Sequence, residues 1–340
     1  MFWRSYCTPM TKGNSLGGAP PLALALQGGG AYGAFTWGVL DRLLREDDVF
    51  PSAISGASAG AVNAVIAAWG LMQGGRDGAR EALRRFWTEI GQKALLSPLG
   101  GMPGAELHFD IWTRLFSPYQ LNPLNIHPLR DILAGMIDFE ALRRSGDIAL
   151  FLSATDVATG EPRVFRETEV SLDVLMASTC LPRMTQAVEI DGRSYWDGGF
   201  SANPPILPMV LETGCRSLLV VKLTPDEEPD LPTQAADIVG RLQRILVNGS
   251  LQRDLAALEE MRNLLHRSNL SSGDLRRIRD LGVRHVTIDH RFFAGSNGNA
   301  LNPRPEMLER LFDSGAEAAD ALICQKSAPA ESKVLTADDA

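Results

Sequence analysis

Three observations predict a three-layer α/β/α fold around a mostly parallel sheet. Short apolar runs alternate with amphipathic, helix-prone stretches along most of the chain. Runs such as LALAL at 22–26 and RSLLVVKL at 216–223 are almost continuously apolar, as strands covered on both faces are. Two of the runs end in glycine-rich turns that pass directly into helical sequence, at 28–33 and 56–60.

The elements follow in order. After a polar opening stretch, 1–20, which is expected to be flexible, the first strand is 22–26. A helix with Phe35, Val39, Leu40, Leu43 and Leu44 on one face comes next. A strand from Phe50 leads to Gly56, and a helix begins beyond Gly60. A second amphipathic helix is expected over 78–90. Residues 91–128 combine glycines and prolines with Leu95, Leu99, Met102, Trp112, Leu115 and Phe116. They read as an apolar insertion with a short helix near 105–116, either a lid or acyl-binding wall or a simple core cover. One or two short helices fill 128–144. Strand 147–155 turns back through Val164 and Phe165, and a helix over 173–180 ends before Pro182. Asp191-Gly192 marks a hairpin within 187–195 that delivers Asp197-Gly198-Gly199 at its exit. Pro204-Pro205 opens a helix to about residue 212. Strand 216–223, a long helix at 234–267, a short helix at 272–281, a strand at 284–289 and a closing helix at 304–324 complete the chain. The stretch 326–340 is polar and alanine-rich and is expected to be disordered. With no repeat and no clean linker, residues 21–325 are expected to be a single domain.

Composition narrows the function. The 340 residues are 45% hydrophobic and 22% charged, ordinary for a globular chain. A net charge of −8 gives no basic field, so nucleic acid is not an expected partner. No apolar run spans a bilayer, and no secretory leader is legible, so a cytoplasmic location is expected. The four cysteines lie far apart in sequence and the five histidines form no ligand pattern. Neither a metal nor another cofactor is expected. Arg241, Arg244, Arg253 and Arg262 on the long helix alternate with acids. A solvated mixed face is expected there, with contact to lipid phosphate as the alternative reading.

The chemistry concentrates in three glycine-framed motifs. Gly56-Ala57-Ser58-Ala59-Gly60 has the G-x-S-x-G spacing of a nucleophile elbow, where a serine projects from a tight strand–helix turn. Gly56 and Gly60 would relieve the close approach of neighbouring backbone. Gly28-Gly29-Gly30-Ala31-Tyr32-Gly33 matches G-x-G-x-x-G literally, through Gly28, Gly30 and Gly33. A dinucleotide fold would want an acid at the end of the next strand, but Asp47 and Asp48 precede that strand and GASAG occupies its end. The other reading is a nest of backbone N–H groups for a developing oxyanion, formed by Gly28, Gly29, Gly30 and Ala31. Asp197, followed by Gly198 and Gly199, can approach a serine directly. None of the histidines sits in such a turn.

GGGAYG at 28–33, GASAG at 56–60 and DGG at 197–199, in that order, resemble the signatures of the patatin-like phospholipases. SATDVATG at 153–160 and ASTCLP at 177–182 are similar as well. The resemblance implies a Ser–Asp dyad acyl hydrolase without histidine or metal. Ser58 would be the nucleophile and Asp197 the proton acceptor, with the N–H groups of Gly29, Gly30 and Ala31 around the oxyanion. The expected substrate is a lipid or phospholipid ester, and peripheral contact with a membrane is a further expectation. Many members carry Arg or Lys where this chain has Tyr32. Two other readings remain: an acyltransferase using the same acyl-serine, and a non-catalytic lipid-binding regulator.

Overall fold

The computed structural model describes residues 22–47, 49–96, 117–125, 127–268, 272–293 and 303–327. The opening segment 1–20, the helix expected near 105–116 with Leu115 and Phe116, and nearly all of the tail 326–340 lie outside these residues.

An eight-stranded sheet runs through the molecule. Its strands are β1 (Leu22–Leu26), β2 (Pro51–Ala57), β3 (Ala149–Asp156), β4 (Pro162–Arg166), β5 (Val188–Ile190), β6 (Arg193–Asp197), β7 (Ser217–Lys222) and β8 (Gly282–Thr287). The order is β5-β6-β3-β2-β1-β7-β8, with β4 also paired to β3. The five strands β3, β2, β1, β7 and β8 run parallel, while β4, β5 and β6 add an antiparallel flank. β2 and β3 build outwards on one side of β1, and β7 and β8 on the other. The carboxyl ends of β1 and its neighbours therefore meet at a topological switch point, where α/β sheets open a crevice.

Alternate residues of the central strands serve two cores. Leu24, Leu26, Ile54, Leu219 and Val221 face one layer, which includes helices α1 (Gly33–Leu43) and α2 (Ala59–Leu96). Ala23, Ala25, Ala53, Leu218 and Val220 face the other. The strands are thus buried on both sides, which explains why they read as nearly unbroken apolar runs.

Short helices α3 (Pro118–Leu121), α4 (Pro128–Met136) and α5 (Phe139–Ser145) precede β3, and α6 (Leu172–Ser178) follows β4. The second layer carries α7 (Ile206–Glu212), α8 (Ala235–Arg267) and α9 (Gly273–Arg279). Helix α10 (Pro305–Ser327) returns to the first layer and packs on α1. The two helices expected over 61–90 are the two arms of α2, which is not continuous helix throughout. Its break falls at Gly74 and Gly75, and Gly75 has φ of 62°. The Asp191-Gly192 turn has positive φ at both residues, 51° and 74°, the conformation that a two-residue hairpin of this hand demands.

The start of α2 is locked onto β1. A Cβ on Gly60 would be driven into the Leu26 carbonyl, and one on Gly56 would meet the Gly60 carbonyl at 2.6 Å. Gly60→Ala is expected to cost about 3 kcal/mol or more in a urea unfolding titration. Gly135→Ala, in the open on α4, should gain about 0.5–1 kcal/mol in the same titration.

Candidate active site

Ser58 occupies the single residue between β2 and α2. Its φ of 52° lies in the left-handed region that L-residues rarely adopt, and the tight backbone packing around Gly56 and Gly60 holds it there. The Ser58 N–H donates to Ser178 Oγ at 3.0 Å, which ties the turn to the end of α6. Beyond Ser58 lies the amino end of α2, whose first N–H groups lack intrahelical acceptors.

Asp197 ends β6 and is only 3% exposed. Its N–H donates to the Cys180 carbonyl at 2.8 Å, and its carbonyl accepts from Thr155 Oγ1 at 2.7 Å. The carboxylate accepts the Gly199 N–H at 2.7 Å, and the Ser58 hydroxyl lies near enough to favour its charged form. Burial raises its pKa from 3.8 to about 6, against the opposing pull of those two donors. Gly198 is needed at this exit because a Cβ there would strike the Ser153 carbonyl of β3.

The glycine loop leaves β1 beside the serine turn. A Cβ on Gly28 would sit 2.6 Å from the Ala57 carbonyl and 2.8 Å from Ser58 Cβ, so the loop and the serine turn are in direct contact. The Gly28 N–H is already engaged, donating to Asn203 Oδ1 at 2.6 Å. Gly29 is followed by the 3-10 turn Gly30–Tyr32, which continues into α1. Gly30 and Ala31 open that helical run, so their N–H groups have no acceptor within it. The arrangement supplies backbone donors and a helix dipole at the lip of the serine turn.

Buried amides brace this loop from behind. The Gln27 side-chain Oε1 accepts the N–H groups of Leu223 and Thr224 at 2.6 and 3.0 Å, and its Nε2 donates to Asn248 Oδ1 at 3.1 Å. Asn203, 1% exposed, joins the loop to α8. Its N–H donates to Ser250 Oγ at 3.0 Å, and its side-chain amide to the Val247 carbonyl at 3.2 Å. Tyr32 is buried, with its ring centroid 4.6 Å from that of Phe293, and desolvation pushes its phenol up to about 12. It stands next to the loop as a neutral group, not as a cation.

The structure therefore brings Ser58, Asp197 and the Gly28–Ala31 loop to one edge of the sheet. Sequence reasoning assigned no role to Gln27, Ser178, Asn203, Asn248 or Ser250. Ser178 lies in the ASTCLP segment and Asn203 shortly after DGG, which are the only local signals either residue carries. Among the described residues, no three His, Cys, Asp or Glu side chains gather as a metal site, and no helix is long and apolar enough to cross a membrane.

Fold and site together define an α/β protein with a strand–helix serine turn and a buried aspartate beside a glycine-rich helix start. Residues 24–210 match the patatin-like phospholipase family, and the chain belongs to that family, whose members act on lipids. It is 30% identical over 252 residues to the uncharacterized protein YjjU of Escherichia coli (strain K12). That alignment takes in 72% of this chain and 64% of YjjU, so it leaves more than a third of the relative unmatched. VipD from Legionella pneumophila superposes on 90% of the chain and 67% of its own, with a TM-score of 0.46 and 15% identity. The type III effector ExoU of Pseudomonas aeruginosa superposes on 91% of the chain and 54% of its own, with a TM-score of 0.37 and 16% identity.

Proposed function

We propose that this protein is a serine acyl hydrolase of the phospholipase A or lipid esterase type, working through a Ser58–Asp197 dyad. The reading rests on the nearness of the Ser58 hydroxyl to the buried Asp197 carboxylate, whose pKa desolvation raises to about 6. Such a carboxylate is ionised at neutral pH, yet basic enough to take a proton in the transition state.

Ser58 Oγ attacks the ester carbonyl carbon as its proton passes to Asp197. The carbonyl oxygen becomes negative and accepts hydrogen bonds from the N–H groups of Gly29, Gly30 and Ala31. Gly28 contributes differently: its N–H is held by Asn203, which sets the loop's position. Collapse of the tetrahedral intermediate breaks the ester bond, and the leaving alcohol takes the proton from Asp197. Water then attacks the acyl-serine and gives its own proton to Asp197. The fatty acid departs and Ser58 recovers its hydrogen.

Incubation with a phospholipid mixture, read by mass spectrometry, tests the reading. The wild-type chain should release free fatty acid and lysolipid, and Ser58→Ala should release neither. Transfer of acyl groups to an added alcohol, with no free fatty acid, would favour the acyltransferase. Identical product profiles from both proteins would overturn the assignment.

A further inference from the structure

Helix α8 has two unlike sides in its amino-terminal half. Arg241 and Arg244 turn inwards and share Glu228, at 3.0 and 2.6 Å. The outer side carries Ile238, Val239, Leu242, Ile245 and Leu246, all exposed, with Leu246 72% and Ile245 59% accessible. Leu231, just before the helix, is 84% exposed. Positions 238, 242, 245 and 246 recur at helical spacing, so they form one stripe. Gln243 is the one other exposed side chain within 238–246, and it carries no charge. Water-facing apolar groups gathered in this way mark an interaction site.

The same stretch of helix reaches the candidate site through its inner side. Asn248 accepts from Gln27, and the Val247 carbonyl accepts from Asn203, the two residues that brace the glycine loop. The stripe therefore lies about one helix diameter, roughly 10 Å, from the framework of that loop.

We propose that the 238–246 face of α8 is a docking surface for the interfacial region of a lipid bilayer. The choice of occupant rests on the acyl-lipid substrate proposed above. Size supports it: the stripe is about 13 Å long and offers a handful of side chains, whereas a stable protein–protein interface takes roughly 20–30 residues a side. Charge supports it too. Arg241 and Arg244 are both held towards Glu228, away from the stripe, and the exposed side chains within 238–246 carry no charge, so the face suits an uncharged or zwitterionic surface. An apolar helix face of this kind settles about 5–10 Å into the headgroup boundary.

Co-sedimentation with phosphatidylcholine vesicles tests the surface, using the Ser58→Ala chain so that hydrolysis plays no part. Adding Leu242→Asp and Leu246→Asp should lower the bound fraction at least about tenfold, and added salt should leave the parent's binding unchanged. Leu242→Ser with Leu246→Ser gives a milder pair, and circular dichroism confirms that each variant is folded. Equal binding by folded variants and parent would overturn the proposal. So would a dimer in light scattering that the substitutions dissolve, because the stripe would then seat a second copy. The two readings fail separately. A wild-type chain that releases no fatty acid would remove the hydrolase, while stripe-dependent binding of the Ser58→Ala chain would still uphold the surface.

Discussion

Ser58→Ala is expected to lower kcat/KM for ester hydrolysis by about 10⁴-fold or more and to leave the thermal midpoint within a few degrees of the wild type. The loss is large because no neighbouring group replaces a missing nucleophile. The fold survives because little structural weight rests on the hydroxyl. The turn is held through the Ser58 N–H to Ser178 and through the packing of Gly56 and Gly60, all of which alanine retains. Alanine also bears the left-handed φ at a cost similar to that of serine. Steady-state kinetics on a soluble ester, with differential scanning fluorimetry alongside, checks both halves. A drop in activity accompanied by unfolding would speak only of stability.

Asp197→Asn is expected to separate activity from stability in opposite directions. Activity should fall by about 10³-fold or more, since an amide accepts no proton from Ser58. The wild-type rate should decline as pH falls through about 6, where the carboxylate protonates. Stability follows the other sign. The folded-state pKa lies above the ordinary value of 3.8, so the native state binds the proton more tightly than the unfolded chain does. The favourable contribution of the protonated group is fully present below about pH 4 and is lost as pH rises through about 6. At about pH 8 the wild type therefore carries a burden on the order of 2–3 kcal/mol that the uncharged amide avoids. Asp197→Asn should be the more stable protein at about pH 8, with the gap closing near pH 4. Urea titrations at the two pH values measure it.

Much of this architecture was legible because local pattern reflects burial. Leu22–Leu26 and Ser217–Lys222 are covered on both faces, so their sequences alone announce central strands. The Asp191-Gly192 hairpin and the serine turn were legible for a steric reason: few residues tolerate their backbone. The bracing of the glycine loop was not. Asn203 meets Gly28 across 175 positions and Gln27 meets Asn248 across 221, and no local periodicity says which buried amide will find which N–H. Helix α8 misled in another way. Its arginines suggested a mixed solvated face, and Arg262 with Glu259 fits that expectation at 2.6 Å. Arg241 and Arg244 do not, because Glu228 precedes the helix and draws them inwards, leaving the outer face to leucine and isoleucine.

The direct transfer of a proton from hydroxyl to carboxylate is tested most closely by the rate at which a fluorophosphonate labels Ser58, followed by mass spectrometry of the modified peptide. The wild-type chain should take up the label on Ser58, and Asp197→Asn should take it up about 10³-fold more slowly while remaining folded. Equal labelling rates in the two proteins, or a label found on a different serine, would contradict the dyad.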